Sequence, residues 1–184
     1  QRPCTWIRLP LMAGHGTVPG DTLRIDALED WFLPAKRLYQ NFSEEPNIKE
    51  IWLYGYSTGA LLSMMIAQED VKQPEHLKEA TLSGLVLIAP AINVQNSFRL
   101  WLTQYMKYIK PYASQGRDDF PVLSDSDSHG IYSSFGDLLD LFHDHADEGI
   151  NLPTLVYISQ EDATLNVDKT LAYFCHHAQQ SIIN

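Results

Sequence analysis

Cysteine is nearly absent from this chain. Cys4 and Cys175 are the only two, and their wide separation fits neither a zinc-ligand spacing nor a disulfide framework, so both read as buried free thiols. No run of 18 apolar residues occurs, so no membrane-spanning helix is expected. A cluster of basic residues is also missing. With 13 Lys and Arg against 23 Asp and Glu, the formal net charge is −10, which argues against nucleic acid as a partner. No signal peptide, internal repeat or low-complexity tract is visible. What remains is a chain of 184 residues, 45% hydrophobic, long enough to bury a core as one domain.

The apolar residues are organised in an alternation of strand and helix patterns, which predicts a mostly parallel sheet with helices on both faces. Strands are expected at Thr5 to Leu9, Ile51 to Tyr56, Leu82 to Ile88 and Thr154 to Ile158. Helices are expected at Ile25 to Phe42, Thr58 to Glu69 and Val167 to Ala178. The first carries Leu28, Trp31, Phe32, Ala35, Leu38 and Tyr39 on one face, and Asn166 or Asp168 caps the last. Between Pro90 and Pro153 the rhythm breaks. There an aromatic amphipathic helix with Phe98, Leu100, Trp101, Leu102, Tyr105, Met106, Tyr108 and Ile109 precedes a polar loop and a second helix near Phe135 to His145. Sixty residues far exceed what a connection between two strands needs. They read either as a cap whose aromatics line an apolar pocket or as further core against the sheet.

The stretch Gly55-Tyr56-Ser57-Thr58-Gly59 places a serine between two glycines, where the apolar strand Ile51-Trp52-Leu53-Tyr54 meets a helix that is apolar on nearly every side. The spacing has a steric reason. A strand that reverses sharply into a helix strains its central residue, and small neighbours let the turn close while the hydroxyl stays exposed. Ser57 is therefore a candidate nucleophile.

The order strand, G-x-S-x-G, helix resembles the nucleophile elbow of the α/β-hydrolase superfamily. Upstream, Gly14-His15-Gly16-Thr17-Val18-Pro19 followed by Trp31 is similar to the G-H-G-T-x-P loop and tryptophan of carboxylesterases and monoacylglycerol lipases. The resemblance implies an α/β-hydrolase fold over residues 1–184, incomplete at both ends, with a helical cap insertion over about 91–152. It implies a serine hydrolase that cleaves small-molecule acyl esters through an acyl-enzyme on Ser57, with the backbone N–H of Thr58 as one oxyanion donor. No metal or organic cofactor is implied. The family's other H-G motif, source of the second oxyanion donor, has no copy here, so the chain is expected to begin inside the hydrolase domain. A thioesterase, a serine peptidase or a non-catalytic ligand-binding homologue on the same fold shares these features.

A serine nucleophile needs a base and an acid to orient it. Asp162, in Ser159-Gln160-Glu161-Asp162, stands just past the carboxyl end of the Thr154 to Ile158 strand, where catalytic groups of open α/β sheets collect. It also holds the position that the resemblance gives the family's acid, although Gln160 departs from the G-x-x-D pattern. Glu161 is the rival, otherwise a solvated loop carboxylate. His176 and His177 follow the acid, but their helix runs away from the active edge and leaves them roughly 13 to 15 Å below it. They read as structural or surface residues. The resemblance puts the catalytic histidine after the next strand, which Ser181-Ile182-Ile183 begins, so the base is expected a few residues past Asn184.

The remaining polar clusters carry less. His143-Asp144-His145 with Asp147 and Glu148 has metal-ligating chemistry but reads as a solvated helix end. Asp125 to Gly130 opens like a calcium loop, yet Gly136 stands where that loop needs a bidentate Glu. His15, inside a glycine turn, reads as structural.

Overall fold

The computed structural model describes residues 5–14, 25–72, 79–95, 97–109, 129–145, 149–177 and 181–183. Four parallel strands, β1 (Glu50–Tyr56), β2 (Thr81–Ile88), β3 (Thr154–Tyr157) and β4 (Ser181–Ile183), pair in chain order. The helices are α1 (Leu33–Ser43), α2 (Thr58–Val71), α3 (Ser97–Ile109), α4 (His129–Asp144) and α5 (Val167–His177). Each crossover between neighbouring parallel strands contains at least one helix or a long segment, as parallel pairing requires.

Alternation along the strands separates the two faces of the sheet. Ile51 of β1, Leu85 and Leu87 of β2 and Val156 of β3 are buried, and register places Leu85 beside Leu53 and Leu87 beside both Gly55 and Val156. Helix α2 packs on this side of β1 and β2, with α1 and α4 packed against α2 in turn. Residues 60 to 68 of α2 are therefore all buried, which is why this helix is apolar around its whole circumference. On the other face Trp52, Tyr54 and Tyr56 are exposed, with Tyr157 of β3 beside them. There the Trp52 ring lies over Gly84, where a Cβ would meet it at 2.4 Å.

Polar pairs close the far end of α2. Tyr39 of α1 donates its hydroxyl to the buried Asp70 carboxylate, and burial, helped by this bond, pushes the Tyr39 phenol well above its ordinary value. Lys36 meets Glu69 at 2.6 Å.

Three sequence expectations are corrected. Residues 5–10 form no strand and are exposed throughout. Among the described residues they have no paired neighbour, and strand preference expresses itself mainly through such pairing. The expected helix over 25 to 42 divides into a π-helical segment, Ala27–Phe32, and α1. Pro34 lacks an N–H and its ring crowds the carbonyl four residues back, so the chain widens into the i→i+5 pattern just before it. The wider turn shifts the phase, burying Ala27 and leaving Leu28 exposed. Finally, Cys175 is an exposed free thiol. It lies beside Phe174 on α5, and only the Phe174 side of the helix faces the core. Cys4 lies outside the described residues.

The two helices between Pro90 and Pro153 behave differently. In α4, Ile131, Phe135, Leu138, Leu139 and Phe142 are buried with the core. In α3, Phe98, Trp101, Leu102, Tyr105, Tyr108 and Ile109 are exposed. Its Leu100 is half-buried and lies toward Gly136 of α4. The aromatic side chains of α3 are thus exposed while Leu100 and Met106 are half-buried, and the reading of its aromatics as sheet core does not hold.

Candidate active site

The junction of β1 and α2 is strained. Ser57 has φ 52° and ψ −117°, a combination rare for residues with a side chain and usually held in place by surrounding structure. Here Ser57 N–H donates to Ile88 O at 2.9 Å and its carbonyl accepts from Ala60 N–H at 3.0 Å. The two flanking glycines have different standing. A Cβ on Gly55 would meet Gly59 O at 2.4 Å and the Ala60 backbone at 2.5 Å, whereas one on Gly59 would meet nothing within 4 Å. Only Gly55 is required by close approach, because it is where the returning helix crosses its own strand.

Ser57 is half-buried. Among the described residues its Oγ forms no hydrogen bond, and neither does the N–H of Thr58. A hydroxyl and an unpaired amide therefore stand side by side at the N-terminus of α2, where the aligned peptide dipoles favour negative charge.

Asp162 lies on the same edge. Tyr56 pairs with Ile88 and Ile88 with Tyr157, so the strand ends that carry Ser57 and Asp162 are two strand spacings apart, about 10 Å. Asp162 Oδ1 accepts from Thr164 N–H at 2.8 Å and Leu165 N–H at 2.9 Å. Its Oδ2 has no hydrogen bond among the described residues. Asp162 is half-buried, and Glu161 is exposed. An open depression of about 690 Å³ adjoins Asp162, lined also by Gln95, Gln160, Asn166 and Asp168. Asn166 caps α5 by accepting from Lys169 N–H at 3.1 Å, which resolves the choice between Asn166 and Asp168.

The four histidines with described side chains lie at the opposite end. Gln68 reaches His145 O, and Gln68 is ten residues along α2 from Thr58, about 15 Å from the site. His143 and His145 are exposed there, at the end of α4. Ile150, ahead of β3, donates to His177 O at 3.1 Å, and the His177 ring packs on Tyr173 with centroids 4.7 Å apart. His176 is beside it. The glycine turn at Ala13 and Gly14, with φ 80° at Gly14, is tied to Trp31, whose Nε1 donates to Ala13 O at 3.0 Å. His15, the calcium-loop-like residues 125–128, Asp147 and Glu148 lie outside the described residues. Among the described residues no three His, Cys, Asp or Glu gather as metal ligands would.

Residues 12–134 match the hydrolase family described as serine aminopeptidase, S33. The chain belongs to this family. Among solved structures, the hydrolase resembles the monoacylglycerol lipase of Paleococcus ferrophilus, with a TM-score of 0.63 and 21% identity over 93% of this chain and 69% of that one. It also resembles a structure from work on carboxylesterases of Nitrososphaera gargenis, with a TM-score of 0.51 and 14% identity over 95% of this chain and 69% of that one. These likenesses show the α/β-hydrolase fold. No curated protein sequence matches the chain.

Two features of the site had little signal in the sequence. Ala89, at the end of β2, has φ 45°, an unusual value for alanine. Only its place before Pro90 hints at an irregular strand end. Gln95, which donates to the Asp162 carbonyl at 3.1 Å, belongs to no motif.

Proposed function

We propose that this hydrolase cleaves carboxylic esters through an acyl-enzyme on Ser57. The observation that carries the reading is the strained Ser57 at the head of α2, with neither its hydroxyl nor the neighbouring Thr58 N–H engaged among the described residues. In this reaction Ser57 Oγ attacks the ester carbonyl carbon while a histidine base takes its proton. The carbonyl oxygen becomes an oxyanion and accepts from Thr58 N–H. Collapse expels the alcohol, which takes the proton back from the histidine, and water then hydrolyses the acyl-enzyme by the same steps. Asp162 holds the histidine. Two turn N–H groups fix its Oδ1, and Oδ2 is left to accept from the ring.

The histidine itself comes from outside the four described above. Helix α3 starts two residues after Gln95, whose backbone pairs with Thr164 beside the site, and so rises from the same edge. Its outward aromatic stripe offers rings and no carboxylates, which suits an acyl chain. A second reading, cleavage of an N-terminal residue from a peptide, is favoured by the family description and uses the same nucleophile. Ser57→Ala should lower kcat by several orders of magnitude with folding intact. Hydrolysis of p-nitrophenyl esters beside aminoacyl p-nitroanilides separates the two readings, and retention of most activity by Ser57→Ala would refute both.

A further inference from the structure

The segment between β2 and α3 touches both halves of the site. At its start, Ile88 O accepts from Ser57 N–H, and Ala91 N–H reaches Ser57 O at 3.4 Å. Ala89 leaves the strand at φ 45°, yet its N–H still reaches across to Tyr157 O on β3 at 2.7 Å. Pro90, Ala91 and Ile92 are then buried, and Ile92 N–H closes a tight turn on Pro90 O at 2.9 Å. At its other end the segment pairs with the loop that bears the carboxylate. Val94 and Leu165 form an antiparallel bridge, flanked by Asn166 N–H to Asn93 O at 2.8 Å and Gln95 N–H to Thr164 O at 2.9 Å. Gln95 Nε2 adds a bond to Asp162 O at 3.1 Å.

We propose that residues 89–95 are a brace that sets the distance and orientation between Ser57 and Asp162, with Gln95 as a positioning residue for the carboxylate. The proposal rests on the assignment of those two residues given above. Its physical basis is that a loop residue such as Asp162 is held only by its bonds. The carboxylate is fixed to residues 164 and 165, and these in turn are fixed to residues 93 to 95, so an error anywhere in the brace rotates the acid relative to the nucleophile. Residues 89 to 92 cannot absorb such an error. They are locked by a buried turn, a proline and a residue in an unfavourable region of backbone space. Gln95 itself is exposed, and its side chain makes no contribution to the core that could mask a positioning role.

The test compares Gln95→Ala, Gln95→Glu and Ala89→Gly in the whole protein, using a p-nitrophenyl ester whose turnover depends on Ser57. Gln95→Ala removes the side-chain donor but keeps the backbone pairing. Gln95→Glu sets an acceptor against the Asp162 carbonyl. Ala89→Gly relaxes the positive φ and loosens the brace at its other end. The expected result is kcat lower by about ten-fold in Gln95→Ala and more in Gln95→Glu, with KM within about two-fold and Tm unchanged. Ala89→Gly should lower kcat while Tm stays level or rises, a combination that loss of structure does not produce. Unchanged kcat in the Gln95 variants, or losses of kcat that track Tm, would overturn the brace while leaving the ester hydrolase standing. If Ser57→Ala retains turnover, the assignment beneath the brace fails and the brace falls with it.

Discussion

Replacing Gly55 by alanine should separate the two glycines of the G-x-S-x-G stretch, which look equivalent on paper. The new Cβ would stand 2.4 Å from Gly59 O and 2.5 Å from Ala60 N and Cα. All three are backbone atoms of the first turn of α2, so no side-chain rotation relieves the overlap. The helix must retreat from β1 by about 1 Å to restore ordinary contact, and a gap of that size forfeits a quarter to a half of the dispersion energy of each contact it opens. Ala60, Leu61 and Met64 are completely buried in α2, so many contacts are involved. Overpacking of a tight core costs about 1–3 kcal/mol, and this case belongs at or above the upper end. For a protein of this size about 3 kcal/mol lowers Tm by roughly 6–12 °C. Gly59→Ala is the control. Its methyl meets nothing within 4 Å, and alanine in a helix gains up to about 1 kcal/mol over glycine. Thermal and urea denaturation of both variants gives the answer. Equal destabilisation by the two, or a Gly55→Ala protein as stable as the parent, would show that the approach of α2 to β1 is not what the glycine serves.

If Asp162 orients the base, Asp162→Asn should lower kcat on the order of 10⁴-fold while Glu161→Gln costs little, and steady-state kinetics showing the reverse order would move the acid by one residue. Trp101→Ala and Tyr105→Ala remove half-exposed rings that meet edge to face, 5.1 Å apart between centroids. They should change the preference among p-nitrophenyl esters of different chain length and leave Tm nearly constant, whereas a lower Tm with unaltered preference would make these rings structural. The Glu69 carboxyl is held below the usual carboxylate range, chiefly by its hydrogen bond from Lys36. A depressed folded pKa stabilises above the unfolded value, near pH 4.3, and that stability is lost as pH falls through the folded value. Both side chains are partly exposed, so Glu69→Gln should lose at most about 1 kcal/mol at pH 7, and the loss should fade in acid as the carboxylate protonates; a loss that stays constant across the acid titration would contradict the pairing.

Elements whose evidence is local were legible in the chain. The apolar runs at Ile51, Leu82 and Thr154 became strands, because a short β-branched run between turn residues has few other ways to bury itself. The continuous apolar character of residues 60–67 marked α2 as buried on every side. Gly55 and Ser57 marked the turn between them, since few residue types tolerate that close approach. Family membership was legible for the same reason: the turn chemistry and the order of elements are carried by residues near one another in the chain.

Features that depend on partners distant in sequence were set by packing. Thr5 to Leu9 has strand-like residues, but without a paired neighbour among the described residues they form no strand and stay exposed. Leu28 has the right spacing for a buried face, but the π-helical segment ahead of Pro34 rotates it outward. Both helices of the 91–152 segment are amphipathic, and no pattern tells which apolar face meets protein; contact with α3 and α2 buries that of α4, while the aromatic side chains of α3 stay exposed. Ala89 and Gln95 gained their places from bonds to residues 157, 162 and 164. Such bonds leave no period or motif in the chain, because a single hydrogen bond across a sheet edge constrains geometry without constraining the neighbours in sequence.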